Sequence, residues 1–98
     1  MTLQEITAKM KEGASKKSAF GNTVKFTTDQ GSVYIDGMSS PPVVSYDDKV
    51  ADCTLKMDFS DFADLIGGKL DGMTAFMTGK LKIEGDMGVA MKLQSILR

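Results

Sequence analysis

The sequence predicts an α+β domain: one five-stranded sheet with helices packed on one of its faces. Three observations carry that expectation. The segments ADCTLKM (residues 51–57) and KLKIE (residues 80–84) alternate apolar and polar residues, the signature of strands with one buried face. Directly after Met57 the apolar period changes from two to that of a helix, through Phe59, Phe62, Leu65 and Ile66. Finally, 98 residues with 42% apolar content suffice for one domain. Such a short chain hides only roughly 60–65% of its unfolded surface, so its core is thin.

The elements follow in order. Thr2 and Glu5 form a capping-box pattern, and Leu3, Ile6 and Met10 recur at helical spacing. Gly13 weakens or ends that first helix. NTVKFTT (22–28) places Val24 and Phe26 on one face of a strand, and Asp29-Gln30-Gly31 has turn composition. SVYID (32–36) sets Val33 and Ile35 against Tyr34. Two prolines make GMSSPP (37–42) a loop, since neither can donate to a ladder. VVSY (43–46) reads as a short edge strand, and Asp47-Asp48-Lys49 as a turn. The fourth strand is residues 51–57. Asp58 or Ser60 caps the helix after it, and Gly67-Gly68 stops it. A further helical stretch spans Met73 to Thr78, a fifth strand Lys80 to Glu84, and a last helix runs from the cap Asp86 to about Leu97. The helical segment between the fourth and fifth strands is long enough for a crossover, which would be right-handed if those strands were parallel.

The last helix raises a question. Met87, Val89, Ala90, Met91 and Leu93 make it apolar nearly all round, whereas a surface helix needs one apolar stripe. Methionine is also abundant: eight residues, five of them (Met57, Met73, Met77, Met87 and Met91) in the second half. An unbranched, polarizable side chain either fills irregular core gaps or makes an adaptable wall around a guest.

Several function classes are excluded or disfavoured. A net charge of −1 gives no electrostatic case for nucleic acid. No apolar run approaches the ~20 residues of a membrane helix, and the N-terminal segment lacks the continuous apolar stretch of a signal peptide. One cysteine makes no disulfide framework. The absence of histidine removes the commonest general base and metal ligand at neutral pH. Cys53 lies on the apolar side of its strand and reads as an inert thiol. Asp58, Asp61 and Asp64 suit capping and solvated roles better than a cation site, and GGKLDG lacks the ending of a phosphate loop. The expectation is a soluble, cytoplasmic, non-catalytic protein without cofactor or metal. Lys9, Lys11, Lys16 and Lys17 form a loose basic patch, which leaves open weak membrane-surface contact through the N-terminal helix.

The pieces ADCTLKM, SDFADLIGGKL, AFMTGKLKIEGDMG and VAMKL, in this order and spacing, resemble the sterol carrier protein type-two (nonspecific lipid-transfer) domain. They cover roughly Ala51 to Leu93. The resemblance implies helix, three strands, crossover strand, helices, strand and helix, enclosing a hydrophobic tunnel between sheet and helices. It implies a single domain over residues 1–98 that binds a long apolar lipid: fatty acid, fatty acyl-CoA or a sterol-like molecule.

On that resemblance the last helix closes the tunnel. Val89, Leu93 and Ile96 pack on protein, while Met87, Ala90, Met91 and Gln94 face the guest. Candidate lining from the middle helices is Phe62, Ile66, Met73, Phe76 and Met77, and from the sheet Phe26, Val33, Leu55, Met57, Leu81 and Ile83. Core and lining residues read alike in sequence. The tail Ser95-Ile96-Leu97-Arg98 departs from the peroxisomal Ser-Lys-Leu type, and Tyr34 stands where many relatives have tryptophan. The partner expected is a lipid, and the state a monomer or weak dimer. The alternatives are a scaffold presenting an isoprenoid or quinone-like intermediate to partner enzymes, and a protein-interaction domain with a filled core.

Overall fold

The computed structural model describes residues 2–96, with side chains from Thr2 to Lys92. The first helix, α1, is Leu3–Ala14. The Glu5 N–H donates to the Thr2 hydroxyl (3.2 Å) and the Thr2 N–H to the Glu5 carboxylate (3.0 Å), so two free donors are satisfied reciprocally. The bond from the Thr2 backbone, then that involving its hydroxyl, holds the Glu5 carboxyl below its ordinary range. The helix passes Gly13 and ends at the cap Ser15. Ile6, Thr7 and Met10 are buried, and the Thr7 hydroxyl is satisfied by donating 2.7 Å to the Leu3 carbonyl. The apolar stripe that a membrane contact would need is therefore used in the core, while Lys9 and Lys11 stay exposed. Among the described residues no helix is long and apolar enough to cross a membrane.

Five strands make one sheet: β1 (Thr23–Thr28), β2 (Gly31–Asp36), β3 (Val43–Ser45), β4 (Cys53–Lys56) and β5 (Lys82–Gly85), in the order β3-β2-β1-β4-β5. Three neighbour pairs are antiparallel and β1–β4 is parallel. Between β4 and β5 lie α2 (Phe59–Ile66) and α3 (Gly72–Met77), and α4 is Met87–Ile96. The condition for a crossover through α2 and α3 is not met, because β4 and β5 are antiparallel neighbours; the crossover strand is β4, as the resemblance implies. The chain crosses earlier. Residues 46–52 carry it from the edge strand β3 past β2 and β1, and β4 then runs parallel to β1.

That connection covers the sheet face opposite the helices. Lys25 points out of β1 on that face and meets Asp48 at 2.9 Å, and the Lys49 ammonium sits 5.4 Å from the Tyr34 ring centroid. Tyr34 is accordingly buried although it points away from the helices. On the inner face two cross-strand rows run over the sheet. One is Val33–Phe26–Leu55–Ile83, the other Ile35–Val24–Cys53–Gly85. Ile6, Met10, Phe62, Ala75, Leu81 and Val89 pack on these rows to complete the core.

Two local differences from expectation have physical causes. The fifth strand begins at Lys82, not Lys80, because the N–H groups of Lys80 and Leu81 both donate to the Ala75 carbonyl (2.9 and 3.1 Å) and so finish α3. Asp58 occupies the N-cap of α2, but its side chain makes no capping bond. The Phe59 N–H donates instead to the Asp29 carboxylate at 2.8 Å, from the β1–β2 turn. At the end of β5, Gly85 has φ +95°, and a Cβ there would collide with the Asp52 carbonyl oxygen. Only glycine lets the chain turn so closely past β4, where the Asp86 N–H donates to the Asp52 carbonyl (2.9 Å). The expected end of the last helix at Leu97 and the side chains of Leu93, Gln94 and Ile96 lie outside the described residues.

Candidate functional site

The inner row of the sheet forms a floor. Phe26 of β1, Leu55 of β4 and Ile83 of β5 are register partners, so three apolar side chains stand side by side. Leu81, just before β5, extends the floor. Above it stand Leu65 and Ile66 from the end of α2, the connection through Gly67, Gly68, Leu70 and Asp71, Gly72, Met73 and Phe76 of α3, and Met87, Ala90 and Met91 of α4. Together they bound a cavity of about 600 Å³. Phe26 and Leu55 are 0% and 3% exposed, whereas Met73, Phe76, Met87 and Met91 are 42–70% exposed. The space is thus narrow at the floor and broadens to an apolar mouth rimmed by methionines.

Each wall has a local reason to stand where it does. Gly67 ends α2, and Gly68, at φ +79°, turns the chain back over the sheet. Its return is fixed by backbone bonds: Lys69 and Leu70 N–H both donate to the Asp64 carbonyl (2.8 and 3.1 Å). Asp71 caps α3, its Oδ2 accepting from the Thr74 N–H (3.2 Å) and hydroxyl (3.4 Å). The α3 helix has one buried residue, Ala75, so its larger side chains face the cavity or water. Asp86 caps α4 through the N–H groups of Gly88 (2.8 Å) and Val89 (3.4 Å). Val89 then packs into the core at 2% exposure, which turns Met87, Ala90 and Met91 toward the cavity.

Ten of the residues singled out in the sequence border this space: Phe26, Leu55, Ile66, Met73, Phe76, Leu81, Ile83, Met87, Ala90 and Met91. Four lie elsewhere. Val33 sits one strand beyond Phe26 in the same row, fully buried. Phe62 fills the core against Phe26, with ring centroids 5.0 Å apart and tilted by 31°. Met57 is buried just past β4, its N–H bonded to the Thr27 carbonyl. Met77 follows Phe76 onto the outer side of α3 and is 77% exposed. Gln94 lies outside the described side chains. The bordering residues not anticipated are Leu65 and the connection Gly67, Gly68, Leu70, Asp71 and Gly72. One signal pointed there: an isolated leucine, Leu70, in an otherwise glycine-rich and polar connection needs burial.

Chemically the wall is inert. Among the described residues that border it, the one charged side chain is Asp71. Cys53 lies on the inner face of the sheet, fully buried in the core and outside the cavity lining, and burial first, then the Asp86 charge, pushes its thiol up from the usual range. Among the described residues no three histidine, cysteine, aspartate or glutamate side chains gather as a metal site, Asp58, Asp61 and Asp64 included.

Residues 3–98 match the model of the SCP-2 sterol transfer family. The chain belongs to this family. Membership brings a general role in lipid binding or transfer. Sterol carrier protein 2 of Rattus norvegicus is 43% identical over 88 residues, which is 90% of this chain but 14% of that protein. The chain thus spans a small fraction of the length of the curated relatives it matches. The sterol carrier protein domain 2 of Helicoverpa armigera superposes with a TM-score of 0.70 at 30% identity, covering 97% of this chain and 81% of that one. The palmitated sterol carrier protein 2-like 2 of Aedes aegypti gives a TM-score of 0.75 over 100% of this chain and 96% of that one. At 18% identity, that likeness is one of fold.

Proposed function

We propose that this chain is a single non-catalytic lipid-binding domain that holds one long apolar molecule in the cavity between sheet, α3 and α4. The supporting observation is the cavity itself: about 600 Å³, walled by apolar side chains from three strands and three helices and open at a methionine rim. At about 30 Å³ per water-sized group, the space suits on the order of twenty non-hydrogen atoms, the size of a long-chain fatty acid. The palmitated state of the Aedes aegypti relative supports the same ligand class; acyl-CoA and sterol-like lipids share its apolar bulk.

The driving force is capture from water. Each buried methylene contributes ~0.8 kcal/mol, so eight buried methylenes contribute ~6 kcal/mol before the costs of ordering guest and rim. Breadth of specificity follows from the wall, because apolar contacts are non-directional and methionines repack. The lone reduced thiol of Cys53 suits a cytoplasmic setting. The test is native mass spectrometry of the protein purified from a bacterial host without added lipid, then after incubation with palmitate, hexadecan-1-ol and a sterol. A mass excess of one lipid, released on denaturation, is expected. A mass that stays that of the bare chain in every case would sink the proposal and leave a domain with no guest.

A further inference from the structure

We infer that the Phe26–Phe62 ring pair is the inner stop of the cavity and sets the longest chain it buries, with Phe62 acting as the positioning residue that holds the Phe26 ring. The inference rests on the lipid-binding reading and deepens it to the length of the guest. The inner row of the sheet runs Val33–Phe26–Leu55–Ile83 across four strands. Its last three members border the cavity, and Val33 does not. The same boundary recurs in the helical layer: Leu65 and Ile66 of α2 border the space, whereas Phe62, one turn earlier, is fully buried outside it. The cause is how the helices divide the sheet. The α1 helix packs on β3 and α2, so Ile6 and Met10 fill one half, while α4 packs on β4 and β5 over the hollow half.

The pair stands where the two halves meet. Its ring centroids are 5.0 Å apart at a tilt of 31°, within the favourable range of roughly 4.5–7 Å for aromatic pairs. Both side chains are 0% exposed, so neither ring has free space to turn into. A chain that enters past Met73 and Met91 and runs toward β1 crosses two strand spacings, roughly 10 Å, from Ile83 to Phe26. There it meets a ring with close-packed core behind it. Each methylene buried before that point raises affinity about fourfold. A methylene added beyond it stays at the rim or in water and adds little. Phe62 touches no guest, but without its ring the Phe26 ring gains room to lean away from the cavity, and the stop recedes.

The experiment offers lipid-stripped protein an excess of an equimolar mixture of straight-chain saturated fatty acids, from ten to twenty-two carbons, and reads the bound acids by native mass spectrometry. For the native protein, occupancy should rise with length and then level off at one length. Phe62→Ala vacates six carbon positions, into which the surroundings relax only in part, so the levelling length should move up by about two to four carbons. Phe62→Leu, the milder change, vacates three and should move it by about one or two. Val33→Ala removes buried volume on the far side of Phe26; it should lower the melting temperature and leave the length unmoved. Melting of the acid-bound forms gives a second readout: only the Phe62 variants should keep gaining stability from acids longer than the native limit. Occupancy that never levels off in the native protein overturns the inference while the lipid-binding reading stands. So does an unchanged length in both Phe62 variants, or an equal shift in Val33→Ala. Native protein that binds none of the acids overturns both.

Discussion

Filling the cavity from α4 should stabilise the empty protein and weaken the bound one. Ala90 is half-buried, borders the cavity and points toward it because Val89 takes the core side of the helix. Ala90→Leu adds three carbon groups with almost no change in helix propensity. If they enter the cavity, they leave water at ~0.8 kcal/mol each, up to about 2.4 kcal/mol of added stability. In a domain of this size that raises Tm by roughly 10 °C or more. The same three groups take the place of about three methylenes of guest, about 2.4 kcal/mol of lost contact and about fifty-fold in Kd. The assays are thermal unfolding of lipid-stripped protein and displacement of a neutral pyrene-labelled alkane from the cavity. In a filled core the sign reverses: overpacking costs ~1–3 kcal/mol. A fall in Tm for the stripped variant would therefore refute the open cavity at Ala90, and unchanged affinity would refute its role in holding the guest.

Other expectations follow from single contacts. Because Asp29 rather than Asp58 caps the Phe59 N–H, Asp29→Ala should cost about 1 kcal/mol in urea denaturation and Asp58→Ala much less. Glu5 has its folded pKa lowered by Thr2, so its contribution is present above the unfolded glutamate pKa and is lost as pH falls through the folded value. The difference in stability between native protein and Glu5→Gln, followed by denaturant titration from pH 7 to pH 2, should shrink across that acid window and not elsewhere. The raised pKa and complete burial of Cys53 predict that a neutral thiol reagent labels it only as fast as the protein opens. Labelling at the rate of a denatured control, in native buffer, would contradict the buried placement.

The sheet was legible because alternation is a local property: Ala51 to Met57 and Leu81 to Ile83 declare which face is buried without reference to the rest of the chain. Pairing is not local. Nothing within residues 53–56 says that β4 lies parallel to β1, or that β5 is its other neighbour. The apolar excess of α4 was readable as a helix with two demands on it, and Val89 on one side with Ala90 and Met91 on the other meets both. What could not be read is which apolar residue has a gap beside it. Phe26 and Phe62 touch each other with the same chemistry, yet only Phe26 borders the cavity. The difference lies in where α2 ends and how Gly67 and Gly68 bend the chain, which sets the empty volume between elements far apart in sequence. The Asp29 cap was hidden for the same reason, since its donor is 30 residues away.

The strand order β3-β2-β1-β4-β5 also sets a schedule for biosynthesis. The first three strands form a meander of local hairpins, but β1 keeps one edge bare until Cys53–Lys56 have left the ribosome, about 25 residues after Thr28. At ~5–20 residues per second, that is roughly one to five seconds with Val24 and Phe26 beside an unpaired edge, the interval in which aggregation competes with folding. Ile83 then completes the floor of the cavity, and α4 its wall, so the cavity closes only after the centre of the sheet, from segments synthesised after β4.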